Sequence, residues 1–302
     1  MPPSERATAR RWVTDGLINL IWTAGVHTFR LARRANLSAA LTPALTKLAA
    51  MLPSAAETTP ASLPDGSKLW MPAGYRDART VLTGLFQKDE TELLRRMAKP
   101  GMTFVDVGAY VGYFTVLASR LVGSRGRVFA FEPEVRAYQY LLRNIAVNSC
   151  VNAVAINKAV SERDGNTLIL VRDPRGPESF VTENGRPNSD SDTVVGTVTM
   201  DAFFASRDWP KVDIVKMNIE AGELSALRGM AELSRRNDAL QLIMEFNLAA
   251  MRREAVGRKE LCEALRDLGF RQAWVVERNL EPVASGDLLP TDSAVYNILL
   301  AK

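Results

Sequence analysis

Short apolar runs alternate with amphipathic stretches from about residue 100 onwards. The clearest run is 103–107, which is broken only by Asp106 and is followed by apolar positions at helical spacing between 114 and 121. Strands that alternate with helices predict an α/β fold, with a mostly parallel sheet that helices cover on both faces. Further strands are predicted at 127–131, 153–157, 167–171, 212–217 and 240–246.

The C-terminal end of the chain departs from this alternation. Predicted strands near 271–276 and 295–300 are joined by a loop without a helix. Because a parallel neighbour needs a crossover connection, this arrangement predicts an antiparallel strand at the C-terminal end of the sheet.

Four further stretches have a predicted conformation. Residues 86–97 and 222–235 each predict a single helix, and Glu90 is placed on the polar face of the first. Asp164-Gly165 predicts a hairpin-type turn, and the Pro, Gly, Ser, Asn and Asp residues of 172–193 predict a loop on the acceptor side.

Residues 1–56 are predicted as a helical extension, and 57–302 as the main domain. The extension contains two apolar helical faces, and Pro and Gly residues between 53 and 68 predict a linker. Its apolar stretch is too short and too interrupted to span a bilayer. We expect these helices to pack on the domain or on a second subunit. A basic helix with two tryptophans is also able to lie on a membrane surface.

Composition and charge narrow the class of protein. With 47% hydrophobic and 24% charged residues, the 302-residue chain has a globular composition. The net charge of +4 comes without a helix-turn-helix, zinc-finger or RNP pattern, so we expect no nucleic-acid partner. Cys150 and Cys262 lie far apart and favour a reduced, cytoplasmic compartment. The single histidine, His27, lies outside the main domain, which excludes a His-based triad, metal site or general base there; we expect no metal.

The turn after the first strand carries the candidate chemistry. Gly108 and Gly112 frame it, and glycine lets a ligand approach the backbone closely. Glu132 ends the second strand about 26 residues after Asp106, where its carboxylate is able to accept hydrogen bonds from ribose hydroxyls. Asp106 would repel a pyrophosphate but attract the ammonium and sulfonium groups of S-adenosylmethionine. The charge pattern therefore favours S-adenosylmethionine as the cofactor.

Several short motifs follow one another along the chain from residue 103 to residue 247. They are Val-Asp-Val-Gly-Ala-Tyr-Val-Gly-Tyr-Phe-Thr (105–115), Phe-Glu-Pro (131–133), Asn-Ile-Ala-Val-Asn (144–148), Asn-Lys-Ala-Val-Ser (157–161), Val-Thr-Met-Asp (198–201), Val-Asp-Ile-Val-Lys-Met-Asn-Ile-Glu-Ala-Gly-Glu (212–223) and Met-Glu-Phe-Asn (244–247). In order and spacing they resemble the FkbM-type family of S-adenosylmethionine-dependent methyltransferases. The resemblance implies a Rossmann-like methyltransferase fold with a mostly parallel seven-stranded sheet. It also implies O-methylation of a hydroxyl on a small molecule or sugar.

The resemblance also implies roles for individual residues. Those expected to bind the cofactor are Asp106, Gly108, Tyr110 and Gly112 around its methionine part, Glu132 and Pro133 at the ribose, and Asn157, Lys158 and Ala159 near the adenine. Asn218 and Glu220 would face the methyl-transfer site, Asn218 also touching the cofactor, and Glu245 is a further candidate for catalysis.

The chain departs from the family pattern at three positions. Tyr110 stands where the family usually has Asn, and its ring could cover the sulfonium by a cation–π contact. Asn218 and Ala221 stand where the family usually has Asp and Gly. Because an amide cannot act as a carboxylate base, the candidate base moves to Glu220 or Glu245. Glu220 is equally explained as a helix N-terminal carboxylate, and Glu245 as a partner of Lys216.

These observations leave three hypotheses for function. The first is a methyltransferase acting on a hydroxyl of a small-molecule or glycan acceptor. The second is a non-catalytic cofactor-binding or scaffold protein, and the third a membrane-surface methyltransferase acting on a lipid-linked substrate. A homo-oligomer is compatible with each of them.

Overall fold

The computed structural model describes residues 60–72, 75, 77–172, 179–182, 193–220, 222–253, 256–283, 287–292 and 295–302. The chain forms two compact units, Met1–Lys88 and Asp89–Lys302. The predicted N-terminal helices and their boundary at 56/57 lie outside the described residues, so both stay predictions.

The described part of the first unit is small. Strands β1 (Ala61–Ser62) and β2 (Lys68–Leu69) pair in antiparallel orientation. Helix α1 (Ala78–Thr83) follows and ends at Gly84, whose φ of +72° is left-handed, as is common after the last turn of a helix.

The remaining elements alternate between strand and helix, as the apolar pattern predicts. In chain order they are α2 (Lys88–Met97), β3 (Thr103–Val107), α3 (Tyr113–Val122), β4 (Arg127–Phe131), α4 (Val135–Val147), β5 (Ala153–Ile156), β6 (Ala159–Val160), β7 (Thr167–Arg172), β8 (Ser179–Thr182), β9 (Thr193–Val198), α5 (Met200–Ala205), β10 (Ile214–Met217), α6 (Glu223–Arg228), α7 (Ala231–Arg236), β11 (Gln241–Asn247), α8 (Leu248–Arg253), α9 (Arg258–Asp267), β12 (Gln272–Val275), a 3₁₀ turn (Val276–Arg278), β13 (Glu281–Pro282) and β14 (Val295–Ala301).

The main sheet has the strand order β13-β12-β14-β11-β10-β3-β4-β5. Strands β11, β10, β3, β4 and β5 are parallel, and β14 runs antiparallel between β11 and β12. The antiparallel C-terminal strand is therefore confirmed. All residues of the central strands β3 and β10 are buried, which explains why these strands are largely apolar apart from the charged residues Asp106 and Lys216.

The predicted seven-strand sheet needs one correction. The sheet is mixed and has eight strands, because the two-residue strand β13 pairs antiparallel with β12. A second, four-stranded sheet with the order β6-β9-β7-β8 is formed by the strands between β5 and α5, and it was not predicted. Strand β8 falls within the predicted loop 172–193, most of which lies outside the described residues. The turn at Asp164-Gly165 does not join a hairpin, since β6 pairs in parallel with β9.

The single helix predicted at 222–235 is instead two helices, α6 and α7. A Cβ at Gly229 would lie 2.1 Å from the carbonyl oxygen of Ser161, so the chain turns against that backbone. The carboxylate of Asp201 then accepts hydrogen bonds from the N–H groups of Glu232 (3.0 Å) and Leu233 (2.8 Å). These two hydrogen bonds satisfy backbone N–H groups in the first turn of the second helix.

The core of the second unit is apolar and tightly packed. Four rings from β4 and α5 meet edge to face with centroids 4.9–5.5 Å apart, namely Phe129, Phe131, Phe203 and Phe204. Within the described ranges, no helix is long and apolar enough to cross a membrane.

Candidate active site

The glycine loop (residues 108–112) joins β3 to α3 at the carboxyl end of the sheet. Its backbone is left-handed at both ends, with a φ of +83° at Gly108 and +89° at Gly112. A Cβ at Gly108 would lie 2.0 Å from the carbonyl oxygen of Asn218, and one at Gly112 would lie 2.6 Å from Leu141 Cδ1. The backbone itself therefore requires glycine at both positions.

Buried polar side chains fix the loop from behind. Asn144 on α4 is fully buried and donates from Nδ2 to the carbonyl oxygen of Val111 at 2.7 Å. Thr115 Oγ1 donates to Asp106 Oδ2 at 2.6 Å, while Asp106 Oδ1 has no hydrogen-bond partner among the described residues. Burial raises the pKa of Asp106 above its usual value. No role was predicted for Asn144, although a buried Asn on an apolar helix face is a detectable signal.

Glu132 ends β4 with a carboxylate that the backbone holds on both sides. Its Oε2 accepts from Tyr110 N–H at 2.7 Å, and its Oε1 accepts from Glu134 N–H at 2.9 Å. Burial raises its pKa to about 7, and the two N–H donors act against that rise. Tyr110 has a left-handed φ of +50°. Asn adopts this left-handed conformation more readily than Tyr, and Asn is the residue that the family usually has at this position.

The residues predicted near the adenine are spread over two environments. Asn157 Nδ2 donates to the carbonyl oxygens of Glu132 (2.8 Å) and Pro133 (3.0 Å), so it braces the turn after β4. Lys158 is exposed, while Ala159 is buried in β6 of the second sheet. The three residues stay predictions as adenine contacts.

Two of the predicted catalytic residues, Asn218 and Glu245, are hydrogen-bonded to each other at the ends of β10 and β11, and Glu220 follows Asn218 by two residues. Asn218 Nδ2 donates to Glu245 Oε2 at 3.0 Å, and Asn218 N–H donates to the carbonyl oxygen of Val107 at 3.0 Å. Glu220 is half-buried and has a left-handed φ of +49°. Strained residues of this kind concentrate at functional sites. The end of β10 therefore lies directly against the glycine loop, through Asn218 and Gly108.

Glu223 is a further acid at this edge that the sequence did not single out. It is buried at the start of α6, and its Oε1 accepts from Ile219 N–H at 3.2 Å. Burial raises its pKa to about 7, and the charges of Glu245 and Glu220 add to the rise. Its position two residues after the Glu-Ala of the matched motif is the signal that would have pointed to it.

Lys216 is buried in the middle of β10, with an exposed fraction of 4%. Its Nζ lies 3.9 Å from Glu90 Oε1 on α2 and 4.7 Å from the centre of the Phe114 ring. The placement of Glu90 on a polar helix face was wrong, since Glu90 is only 2% exposed. It shares the buried face with Leu93 and Leu94, three and four residues on, and this spacing is a signal for burial.

Together, the strand order and the loop at its carboxyl edge define a Rossmann-like α/β protein. The chain belongs to the FkbM methyltransferase family, as the methyltransferase FkbM domain matches residues 106–272, more than half of the chain. The predicted family is thereby confirmed. Within the described part of the chain, no cluster of three or more His, Cys, Asp or Glu side chains is arranged to hold a metal ion.

Curated relatives and solved structures with methyltransferase names match parts of the chain. The hexuronic acid methyltransferase AglP of Haloferax volcanii is 26% identical over 154 residues, which cover 48% of this chain and 56% of that protein. Methyltransferase sdnD of Sordaria araneosa is 24% identical over 157 residues, covering 42% and 60% respectively. The chain thus spans little more than half of these relatives. The crystal structure of methyltransferase FkbM from Methylobacillus flagellatus aligns with a TM-score of 0.40 and 15% identity, over 74% of this chain and 54% of that one.

Proposed function

We propose that the chain binds S-adenosylmethionine and methylates a hydroxyl of a small molecule or sugar. The observation that carries the proposal is the contact between Gly108 and the carbonyl of Asn218, which would tolerate no side chain. It joins the loop expected to bind the cofactor to the strand end expected to bear the base. One ligand is therefore able to reach both.

The residues present suit this cofactor. Asp106 Oδ1 is a buried acceptor without a donor among the described residues, which suits an ammonium group. Each oxygen of Glu132 uses one backbone N–H and keeps a lone pair for a ribose hydroxyl. When bound, S-adenosylmethionine supplies a methyl group on a positively charged sulfur that is already activated for displacement.

The base is expected among the carboxylates at the ends of β10 and β11. Glu245 is half-buried, and the Asn218 amide that donates to it fixes its orientation. Glu220 holds a strained backbone at the same edge. Either carboxylate would take the hydroxyl proton at one of its oxygens, directly or through water. Asn218 then acts as a positioning residue, because an amide cannot take that proton.

The acceptor class is supported by the names of the relatives. One is named for a hexuronic acid, which offers hydroxyl groups for methylation. Because the chain spans only part of that protein, its substrate serves here as a guide to the chemical class of acceptor. The predicted loop 172–193 would contribute to acceptor choice.

The proposal is tested in two stages. Titration calorimetry with S-adenosylhomocysteine should show one saturable site. Labelled methyl transfer from S-adenosylmethionine should then appear on neutral hexoses, hexuronic acids or a polar metabolite extract. Glu220→Gln and Glu245→Gln should separate the two candidate bases by lowering turnover far more than cofactor affinity, with Glu263→Gln on the exposed side of α9 as the control.

These measurements distinguish an enzyme from a non-catalytic cofactor-binding protein and from a chain without a cofactor site. Saturable binding without transfer to any acceptor would favour a non-catalytic cofactor-binding protein, the alternative that is motivated by the departures from the family pattern at Asn218 and Ala221. Absence of binding would refute both proposals. An unchanged rate in Glu220→Gln would leave Glu245 as the base.

A further inference from the structure

A buried charge layer, formed by Glu90, Asp106 and Lys216, lies under the candidate site. Lys216 on β10 stands opposite Asp106 on β3 in the sheet register, so the two side chains leave the sheet on the same face. Glu90 reaches Lys216 from α2, at 3.9 Å. All three side chains are at least nine-tenths buried.

The layer contains more negative than positive groups. When both are ionised, the carboxyl groups of Glu90 and Asp106 face one ammonium, that of Lys216, which also lies over the Phe114 ring. Beyond the layer, the charges of Glu245 on β11 and Glu277 after β12 act on Glu90 as well. Among the described residues, the charge of Lys216 lowers the pKa of Glu90, against the effect of these acids.

Two atoms of the layer lack hydrogen-bond donors. Glu90 Oε2 and Asp106 Oδ1 are buried acceptors without partners among the described residues. Buried acceptors of this kind are costly to leave unsatisfied, and more so when they are ionised. The missing donor at Asp106 Oδ1 would be supplied by the ammonium group that both forms of the cofactor carry. The excess of negative charge is a separate observation, and it indicates that a further positive charge completes the layer.

We propose that Glu90, acting with Lys216 and Asp106, makes the site select the sulfonium form of its cofactor over the neutral thioether product. This inference rests on the proposed function, and it concerns a residue outside the motifs that define the cofactor loop. S-adenosylmethionine and S-adenosylhomocysteine differ by one methyl group and one positive charge. An excess of negative charge in a poorly screened interior would therefore stabilise the first more than the second.

A comparison of two dissociation constants isolates this effect. Titration calorimetry on the full chain would measure S-adenosylmethionine and S-adenosylhomocysteine with the wild type and with Glu90→Gln. We expect Glu90→Gln to weaken S-adenosylmethionine roughly three- to tenfold more than S-adenosylhomocysteine, as the loss of one charge at a distance of several ångströms would. A residue that acts only by packing would weaken both ligands equally.

Two further variants serve as controls. Glu90→Asp keeps the charge and should keep the wild-type ratio of the two dissociation constants within twofold. Asp89→Asn removes an exposed carboxylate from the neighbouring position of the same helix and should leave the ratio unchanged. Melting temperatures of all variants would show whether each is folded.

Acidification provides a test that needs no variant. Burial raises the pKa of Glu90 to about 7, and Glu245, Asp106 and Glu277 add to the rise while Lys216 opposes it. Between pH 8 and pH 6 the layer should gain protons and lose negative charge, so the preference for S-adenosylmethionine should fall. Glu223 titrates in the same range. If Glu90→Gln does not fold, the same pH series on Glu223→Gln keeps the layer testable.

The results separate this inference from the function on which it rests. A wild type that binds neither ligand would overturn the proposed function and this inference with it. Binding of both ligands with a ratio that neither Glu90→Gln nor acidification changes would overturn this inference alone. A ratio that shifts in Glu90→Gln but not in Glu90→Asp would support it.

Discussion

The two halves of the candidate site are built in different ways. On the glycine-loop side, backbone groups make the decisive contacts, as when Glu132 accepts from Tyr110 N–H and Glu134 N–H. On the β10–β11 side, side chains pair with side chains, as when Asn218 donates to Glu245. The first half tolerates almost no change at its glycines, while the second half departs from the family pattern at Asn218 and Ala221.

This difference shows which kind of constraint each half carries. A left-handed backbone with no room for a Cβ fixes the residue type regardless of substrate. Side-chain pairs are able to exchange partners while the strands stay in place, and this leaves room for new acceptors. We therefore expect the loop half to determine cofactor binding and the strand-end half to determine what is methylated.

The strongest test of the comparison is Gly108→Ala. The new Cβ would lie 2.0 Å from the carbonyl oxygen of Asn218, at a left-handed φ of +83°, so the loop or the end of β10 must move. We expect S-adenosylhomocysteine binding to be lost and the free energy of unfolding to fall by several kcal/mol, about 3 or more. Calorimetric titration and chemical denaturation measure the two effects.

A matched control is Gly101→Ala. Gly101 also has a left-handed φ, +90°, but a Cβ there would meet nothing within 4 Å. This variant should lose only about 1 kcal/mol from backbone strain and keep its ligand affinity. Equal losses in the two variants would show that strain alone, and not the contact with Asn218, makes Gly108 necessary.

The sequence predicts those parts of the structure that depend on local pattern, and it misses those that depend on contacts between distant segments. Strands such as Thr103–Val107 and the glycine turn follow from local periodicity and backbone chemistry, and the structure confirms them as elements. The break between α6 and α7 depends on the approach of Ser161 to Gly229, a contact between distant segments. The burial of Glu90 was missed because a charged residue on a helix is ordinarily solvated, although Glu90 has the helical spacing of Leu93 and Leu94 and pairs with Lys216 in the interior.

The next largest effect is expected for Glu132→Ala on the loop side. The change removes the acceptor of the Tyr110 and Glu134 N–H groups together with the predicted ribose contacts. The two predicted hydrogen bonds from the ribose hydroxyls to Glu132 would each contribute about 1.5 kcal/mol to binding. Their loss should lower the affinity for S-adenosylhomocysteine roughly a hundredfold. Calorimetry would measure the loss, and Glu263→Gln should show none. An unchanged affinity would remove Glu132 from the cofactor site.

A smaller effect is expected from Glu223, on the strand-end side. Burial raises its pKa from 4.5 to about 7, so its contribution to stability is complete below pH 4.5 and is lost as the pH rises through 7. Between pH 5 and pH 8 this one group should lower the free energy of unfolding by about 2.5 kcal/mol. Glu223→Gln, which keeps an acceptor for Ile219 N–H, should flatten the pH dependence by that amount in denaturation experiments.

The control for this pH effect is Glu232→Gln. Arg235 lowers the pKa of Glu232 to about 2, so this carboxylate is ionised throughout the range from pH 5 to pH 8. Its removal should shift stability equally at every pH in that range. Glu90 and Glu132 also have raised pKa values of about 7 and leave a slope of their own. A slope in Glu223→Gln as steep as that of the wild type would mean that Glu223 ionises in the folded protein near its ordinary pKa.

The smallest effect is expected for Tyr110→Asn, where the loop half itself departs from its family. Asn adopts the left-handed φ of +50° more readily than Tyr, so the backbone strain should fall by about 0.5 to 1 kcal/mol. If the ring also covers the sulfonium, the same change should weaken S-adenosylmethionine about two- to fivefold while leaving S-adenosylhomocysteine nearly unaffected. Paired titrations and denaturation curves separate the two effects. Weaker binding of both ligands would instead mean that the ring contacts a part that they share. The loop half would then recognise more of the cofactor than its sulfonium charge.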